Sequence, residues 1–92
     1  MEAKIKKEFF EAILLLKSVS ECEKFFEDTC TIKEVIEMSQ RLRVAKMLNE
    51  GKSYIEVAKE TGCSSATISR VSKCLQNDNG YRMIINRLKE ED

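Results

Sequence analysis

Residues 53–75, SYIEVAKETGCSSATISRVSKCL, decide how this chain is read. Two short helical stretches flank a tight turn at Gly62-Cys63. Ala58 is small where the two helices would cross. Gly62 follows four residues later, where the chain needs a left-handed backbone that other residues resist. Ile68 and Val71 direct the apolar side of the second stretch back at the first. Ser64, Ser65, Ala66, Thr67, Ser69, Arg70, Ser72 and Lys73 are left outside. A helix-turn-helix requires this division: an apolar side to seat the second helix, and a short polar or basic side to enter a groove of DNA. A plain helical hairpin can share the alanine and the glycine, but it less often presents an acid-free, hydroxyl-rich outer face.

The flanking segments read as further helices. Thr31-Ile32-Lys33-Glu34 is a capping box, in which threonine and glutamate satisfy two free amides reciprocally. It opens a helix expected to reach about Asn49, with Gly51 ending it. Ile32, Val35, Ile36, Leu42, Ala45 and Leu48 are its expected buried side, and Arg41, Arg43 and Lys46 carry charge. A second box, Ser53-Tyr54-Ile55-Glu56, opens the first helix of the pair, which ends at Thr61. The reading helix starts after Ser64 and runs to about Leu75. Asn77-Asp78-Asn79-Gly80 is a break. A last helix covers about Tyr81 to Lys89, with Tyr81, Ile84, Ile85 and Leu88 on its apolar side, before a charged end that frays.

Upstream, a helix over about Ala3 to Lys17 carries Ile5, Phe9, Ile13 and Leu16 as one stripe, widened by Phe10, Leu14 and Leu15. This is more apolar surface than one side of a surface helix needs, so either it is deeply buried or a second chain covers it. Another helix follows Ser20, with Cys22, Phe25, Phe26 and Cys30 at helical spacing and an acidic outer face of Glu21, Glu23, Glu27 and Asp28.

Composition agrees with an all-α chain. Its 92 residues contain no proline and three glycines, without the turn signals of a sheet protein. This length predicts a single domain, 1–92, at the small end of what supports its own core. Residues 1–50 would supply core and dimerisation helices, 53–75 the helix-turn-helix, and 80–90 the C-terminal helix. No apolar run approaches membrane-spanning length. The basic start and short apolar stretch at the N-terminus are interrupted by acids and lack a small-residue cleavage site, so the expectation is a cytoplasmic protein with no membrane partner.

The four cysteines, Cys22, Cys30, Cys63 and Cys74, include no Cys-x-x-Cys pair, and histidine is absent. No metal site and no cofactor are expected, and reduced, partly buried thiols are the plain reading. Net charge is zero, but its distribution is uneven. Residues 1–38 hold six basic and nine acidic groups; 39–75 hold seven and three; 76–92 hold three and four. The positive charge therefore lies on the reading segment and the helix before it, and phosphate affinity depends on such local charge. No nucleophile has an evident base beside it and no phosphate loop exists, so an enzyme is not expected.

Thr31 to Leu75 resembles the tryptophan repressor superfamily, and within it the small YerC/YecD branch. The resemblance rests on Phe25-Phe26-Glu27-Asp28, Cys30-Thr31-Ile32, Gln40-Arg41-Leu42 and Ser65-Ala66-Thr67-Ile68-Ser69-Arg70-Val71. It implies an all-α fold of about six helices and an intertwined two-fold homodimer, with the 53–75 pair reading double-stranded DNA. The surplus apolar surface of the first helix fits such a dimer independently.

In the tryptophan-binding relatives two arginines sandwich the indole ring; they match Arg41 and Arg70, and the threonine at the pocket edge matches Thr31. Two departures follow: the pocket's glycine is Val71 here, and its serine is Cys74. Misfit of one or two methylenes in a closed pocket costs roughly 1–3 kcal/mol. A vestigial pocket without tryptophan binding is therefore expected, and the sequence names no other effector.

These readings converge on a sequence-specific DNA-binding regulator, expected to act as a repressor. The reading helix would enter the major groove, with Ser64, Ser65, Ala66, Thr67 and Ser69 near base edges. Arg70 and Lys73 would meet phosphate or guanine. Lys52, Ser53 and Tyr54 would sit on the backbone, where free helix amides attract phosphate. A dimer would set two such helices about 34 Å apart. The alternative reading is a helical module that binds protein without binding DNA.

Overall fold

The computed structural model describes residues 1–77 and 80–91, so Asp78 and Asn79 of the expected break lie outside the described residues. Among those described are six α-helices and no strand: α1 (Glu2–Ile13), α2 (Val19–Thr29), α3 (Ile32–Asn49), α4 (Tyr54–Thr61), α5 (Ser65–Gln76) and α6 (Gly80–Glu91). The chain divides into two compact units, Met1–Val35 and Ile36–Asp92.

In the first unit the aromatic rings cluster. Phe9 lies 5.9 Å from both Phe10 and Phe25 and 6.4 Å from Phe26 by ring centroids, and Phe25 meets Phe26 edge-on at 5.6 Å. These are the tilted and T-shaped arrangements that ring quadrupoles favour. No residue of α1 or α2 is buried.

Two expected boundaries move. The first helix ends at Ile13 instead of Lys17, because the amides of Leu15 and Leu16 turn to the carbonyls three residues back, Ala12 and Ile13, each at 3.1 Å. That tighter ladder ends an α-helix. The second helix is capped by Ser18, not Ser20: the Ser18 hydroxyl accepts from the Glu21 amide at 3.1 Å, and the Glu21 carboxylate accepts from the Lys17 amide at 2.8 Å. Both serines are followed three residues later by a glutamate, Glu21 and Glu23, so the Ser-x-x-Glu pattern does not choose between them.

The Thr31 box forms in full. The Thr31 amide donates to the Glu34 carboxylate at 2.8 Å, and the Glu34 amide donates to the Thr31 hydroxyl at 3.1 Å. The Thr31 backbone bond, then its side-chain bond, favour the ionised carboxylate and lower the pKa of Glu34.

The core lies in the second unit. Val44, Ala45 and Met47 of α3, Val57 of α4, Ile68, Val71 and Leu75 of α5, and Ile85 of α6 are buried together, with Leu42, Leu48, Ala58, Cys63 and Tyr81 packed around them. α4 packs on α5, and α5 on α6. The buried side of α3 differs from the expected one. Ile32 and Ile36 are exposed, 81% and 51%, while Val44 and Met47 go inside. Periodicity gives α3 one continuous apolar stripe, whereas only its C-terminal half, from Leu42 onward, lines this core.

Candidate nucleic-acid interface

The 53–75 pair is fixed at its entry by the end of α3. Gly51 adopts φ +89°; the Lys52 amide donates to the Met47 carbonyl at 3.1 Å and the Gly51 amide to the Leu48 carbonyl at 3.0 Å. This is a Schellman termination, which satisfies carbonyls the helix leaves open. The chain then passes to Ser53, whose hydroxyl accepts from the Glu56 amide at 3.2 Å and starts α4; of the expected capping box only this half is made, in contrast to the Thr31 box, where both bonds form. A cap satisfies only part of a helix's first turn, so α4 keeps outward-facing amides beside exposed Lys52 and Tyr54.

Between the helices, Gly62 takes φ +72° and its amide donates to the Ala58 carbonyl at 2.9 Å. A Cβ at Gly62 would meet nothing within 4 Å, so the left-handed backbone, and not lack of space, calls for glycine. Thr61 secures the turn from within: its hydroxyl donates to the Val57 carbonyl at 2.7 Å and accepts from the Cys63 amide at 3.2 Å. The Gln40 side chain on α3 donates to the Thr61 carbonyl at 3.3 Å. Ser64 then caps α5, accepting from the Thr67 amide at 3.2 Å and donating to the Thr67 hydroxyl at 3.1 Å.

The seating of α5 follows the sequence reading. Ile68 and Val71 are each 1% exposed and form its inner side. Ser65, Ala66, Ser69, Arg70 and Lys73 are exposed, whereas Thr67 and Ser72 are half-buried. Ser64 and Thr67 are therefore committed to each other, and the hydroxyls left for other partners on the exposed side are those of Ser65 and Ser69. No acid occurs from Ser64 to Gln76, so the outer side of α5 carries charge of one sign. Lys73 also sits in its last turn, where the helix dipole favours a cation.

Within the second unit, the residues matched to a ligand pocket have separate surroundings. Thr31 is engaged in its capping box within the first unit. Arg41 lines a polar pocket of about 370 Å³ with Glu37, Gln40, Gly62, Cys63, Ser64 and Thr67. Cys74 lines an apolar depression with Leu42, Gly80, Tyr81 and Ile84. Arg70 is exposed and Val71 is core.

Several residues that shape the pair gave no signal in the sequence. Gln40 finds its partner 21 positions away, and the Arg82 guanidinium meets Asn49, 33 positions away. The Arg43–Glu60 ion pair, at 3.6 Å, joins side chains more than half exposed and contributes about 0–1 kcal/mol. For Thr61 the sequence reading marks only the end of α4 and assigns its hydroxyl no role.

Comparison with known proteins gives a consistent picture. The family model described as Trp repressor protein matches residues 5–89. The chain is 49% identical over 86 residues to the uncharacterized protein YerC of Bacillus subtilis (strain 168), covering 92% of this chain and 83% of that one. A crystal structure of a TrpR-like protein from Eubacterium eligens ATCC 27750 superposes with a TM-score of 0.90 at 47% identity, covering 94% of this chain and 90% of that one. A crystal structure of a candidate Trp repressor from Staphylococcus aureus gives 0.89 at 46% identity, covering 94% and 87%.

Proposed function

As the chain belongs to the Trp repressor protein family, we propose that it is a cytoplasmic, homodimeric regulator that binds double-stranded DNA through α4 and α5 and represses transcription. The observation that carries this reading is the exposed side of α5: Ser65, Ala66, Ser69, Arg70 and Lys73, free of acids, on a helix whose other side is locked into the core. Short side chains let a helix approach base edges closely. Ala66 offers a methyl to thymine, and Ser65 and Ser69 offer hydroxyls that donate or accept. Arg70 and Lys73 meet phosphate or guanine, and the amide end of α4 with Lys52, Ser53 and Tyr54 grips the neighbouring backbone. Ser64 and Thr67 act one step back, by holding the first turn of α5 in shape.

Exposed apolar surface earlier in the chain supports the homodimer part of the reading. Phe10, Leu14, Leu15, Val19 and Ile32 are all more than half exposed. A second copy is the partner that covers such a surface while duplicating the reading helix for a two-fold operator.

Tryptophan is not the effector in this reading. Val71 is core, and Arg41 and Cys74 line different depressions. Selection of fragments from random DNA, followed by affinity measurement across salt concentrations, tests the proposal. A two-fold-related consensus with a steep loss of affinity as salt rises is expected. A protein that selects nothing and shows no salt dependence belongs instead to the interaction-module reading. Calorimetry with millimolar tryptophan should give no saturable heat, and operator affinity should not move.

A further inference from the structure

The C-terminal end of α5 is held as deliberately as its beginning, and by one side chain. Arg82 stands in the first turn of α6. Its Nε–H donates to the carbonyl of Leu75 near the end of α5, and its Nη1 donates to the Asn49 side-chain oxygen at 3.3 Å, at the last residue of α3. The side chain is half-buried. A cation placed on a terminal helix carbonyl satisfies an acceptor that the helix leaves open and meets the negative end of its dipole. The rigid guanidinium fork can hold two acceptors in one plane, which a lysine ammonium on a flexible stem does not reproduce.

The apolar core seats α5 without fixing its axial position closely, because apolar packing is not directional. Directional bonds do that. Ahead of its N-terminal end, the Gln40 side chain of α3 holds the Thr61 carbonyl and the Thr61 hydroxyl holds the Cys63 amide of the turn; at the C-terminal end the Arg82 guanidinium bonds to Leu75 of α5 and to Asn49 of α3. The exposed side chains that would read bases, at Ser65, Ala66 and Ser69, are among the shortest available. Such side chains cannot compensate for a tilted or shifted backbone.

We infer that Arg82 is a positioning residue for the reading helix: it ties α5 to α3 and α6, and so sets the pose in which Ser65, Ala66 and Ser69 are presented. It touches no DNA itself. The inference rests on the DNA-reading assignment of α5 and adds a residue outside the helix-turn-helix on which specificity depends.

The test compares Arg82→Met, which keeps length and apolar bulk but loses every donor, with Arg82→Lys and wild type, well below their melting temperatures. Arg82→Met should lose up to about tenfold in affinity for the selected fragment, because restoring the pose on DNA costs no more than the lost charge-assisted bond had supplied. Its discrimination against scrambled DNA should fall, and its salt slope should match that of wild type. Arg82→Lys should not recover discrimination. Amide shifts of Ser65 to Ser69 in the free protein should move in Arg82→Met.

A variant with a lowered melting temperature but wild-type discrimination and unmoved α5 shifts would overturn the inference and leave Arg82 a stabilising residue only. A salt slope reduced by one unit would overturn it differently, by making Arg82 a phosphate contact. If wild type selects no DNA, the functional reading fails on its own, while the shifts of Ser65 to Ser69 still decide whether Arg82 sets the pose of α5.

Discussion

The two units of this chain treat apolar residues in opposite ways. Between Ile36 and Asp92, eight apolar side chains are buried from four helices. Between Met1 and Val35 no residue of α1 or α2 is buried, although four phenylalanines cluster there. The second unit completes a core with its own residues. The first displays apolar surface, as expected of a segment that reaches its final burial against another chain. In the proposed function the work is divided accordingly, with one segment forming the reading pair and the other meeting the second copy.

The largest expected effect breaks the self-sufficient side. Ile68→Ala should cost about 2–5 kcal/mol by the usual cost of emptying a packed aliphatic site, read from denaturant unfolding. Val71→Gly should cost a similar amount plus about 1 kcal/mol for glycine inside a helix. Reopening a tryptophan site by that route would therefore dismantle the core first. An Ile68→Ala loss below about 1 kcal/mol would show that α5 is seated by something other than its apolar side.

Next comes the displayed side. Sedimentation at micromolar concentration should report two chains, and Leu14→Glu with Leu15→Glu should shift the mass toward one. A stable single chain in the wild type would remove the reason given for the bare surface of α1. A smaller change is expected on the outside of α5. Arg70→Ala and Lys73→Ala should each flatten the salt dependence of DNA binding by roughly one unit and leave the melting temperature nearly in place. Unchanged slopes in both variants would favour the interaction-module reading.

The smallest effect lies in the Thr31 box. The pKa of Glu34 is lowered on folding, so its contribution is present above the ordinary glutamate range and fades as pH falls through the lowered value. A carbon-detected titration should find the Glu34 midpoint below that of an unstructured glutamate. A midpoint at or above the ordinary value would mean that the box opens in solution.

The difference between the units also explains what the sequence made legible. Local devices could be read from residue types at fixed spacing: the Thr31 box, the Ser53 cap, the two left-handed glycines and the Ile68–Val71 seat are each settled within a few positions. Long-range satisfaction could not. Gln40 and Arg82 look like ordinary surface polar residues until the fold brings Thr61, Asn49 and Leu75 to them. The buried side of α3 departs from the periodic stripe for a related reason, since periodicity marks which residues are apolar and not which surroundings receive them. Of the candidate site, the exposed side of α5 was visible in advance. The commitment of Ser64 to Thr67 was not, because a hydroxyl at a helix start can cap or read with the same sequence.

Gly62 carries one more consequence. The turn between α4 and α5 has empty space where a side chain would stand, and only the hand of the backbone excludes an L-residue. It asks for a mirror-image amino acid as readily as for none. D-alanine, introduced at this position by chemical synthesis, would suit the left-handed φ and leave the unfolded chain fewer conformations to lose, a gain of about 0.4–1 kcal/mol if it matches the usual gain from replacing a permissive glycine.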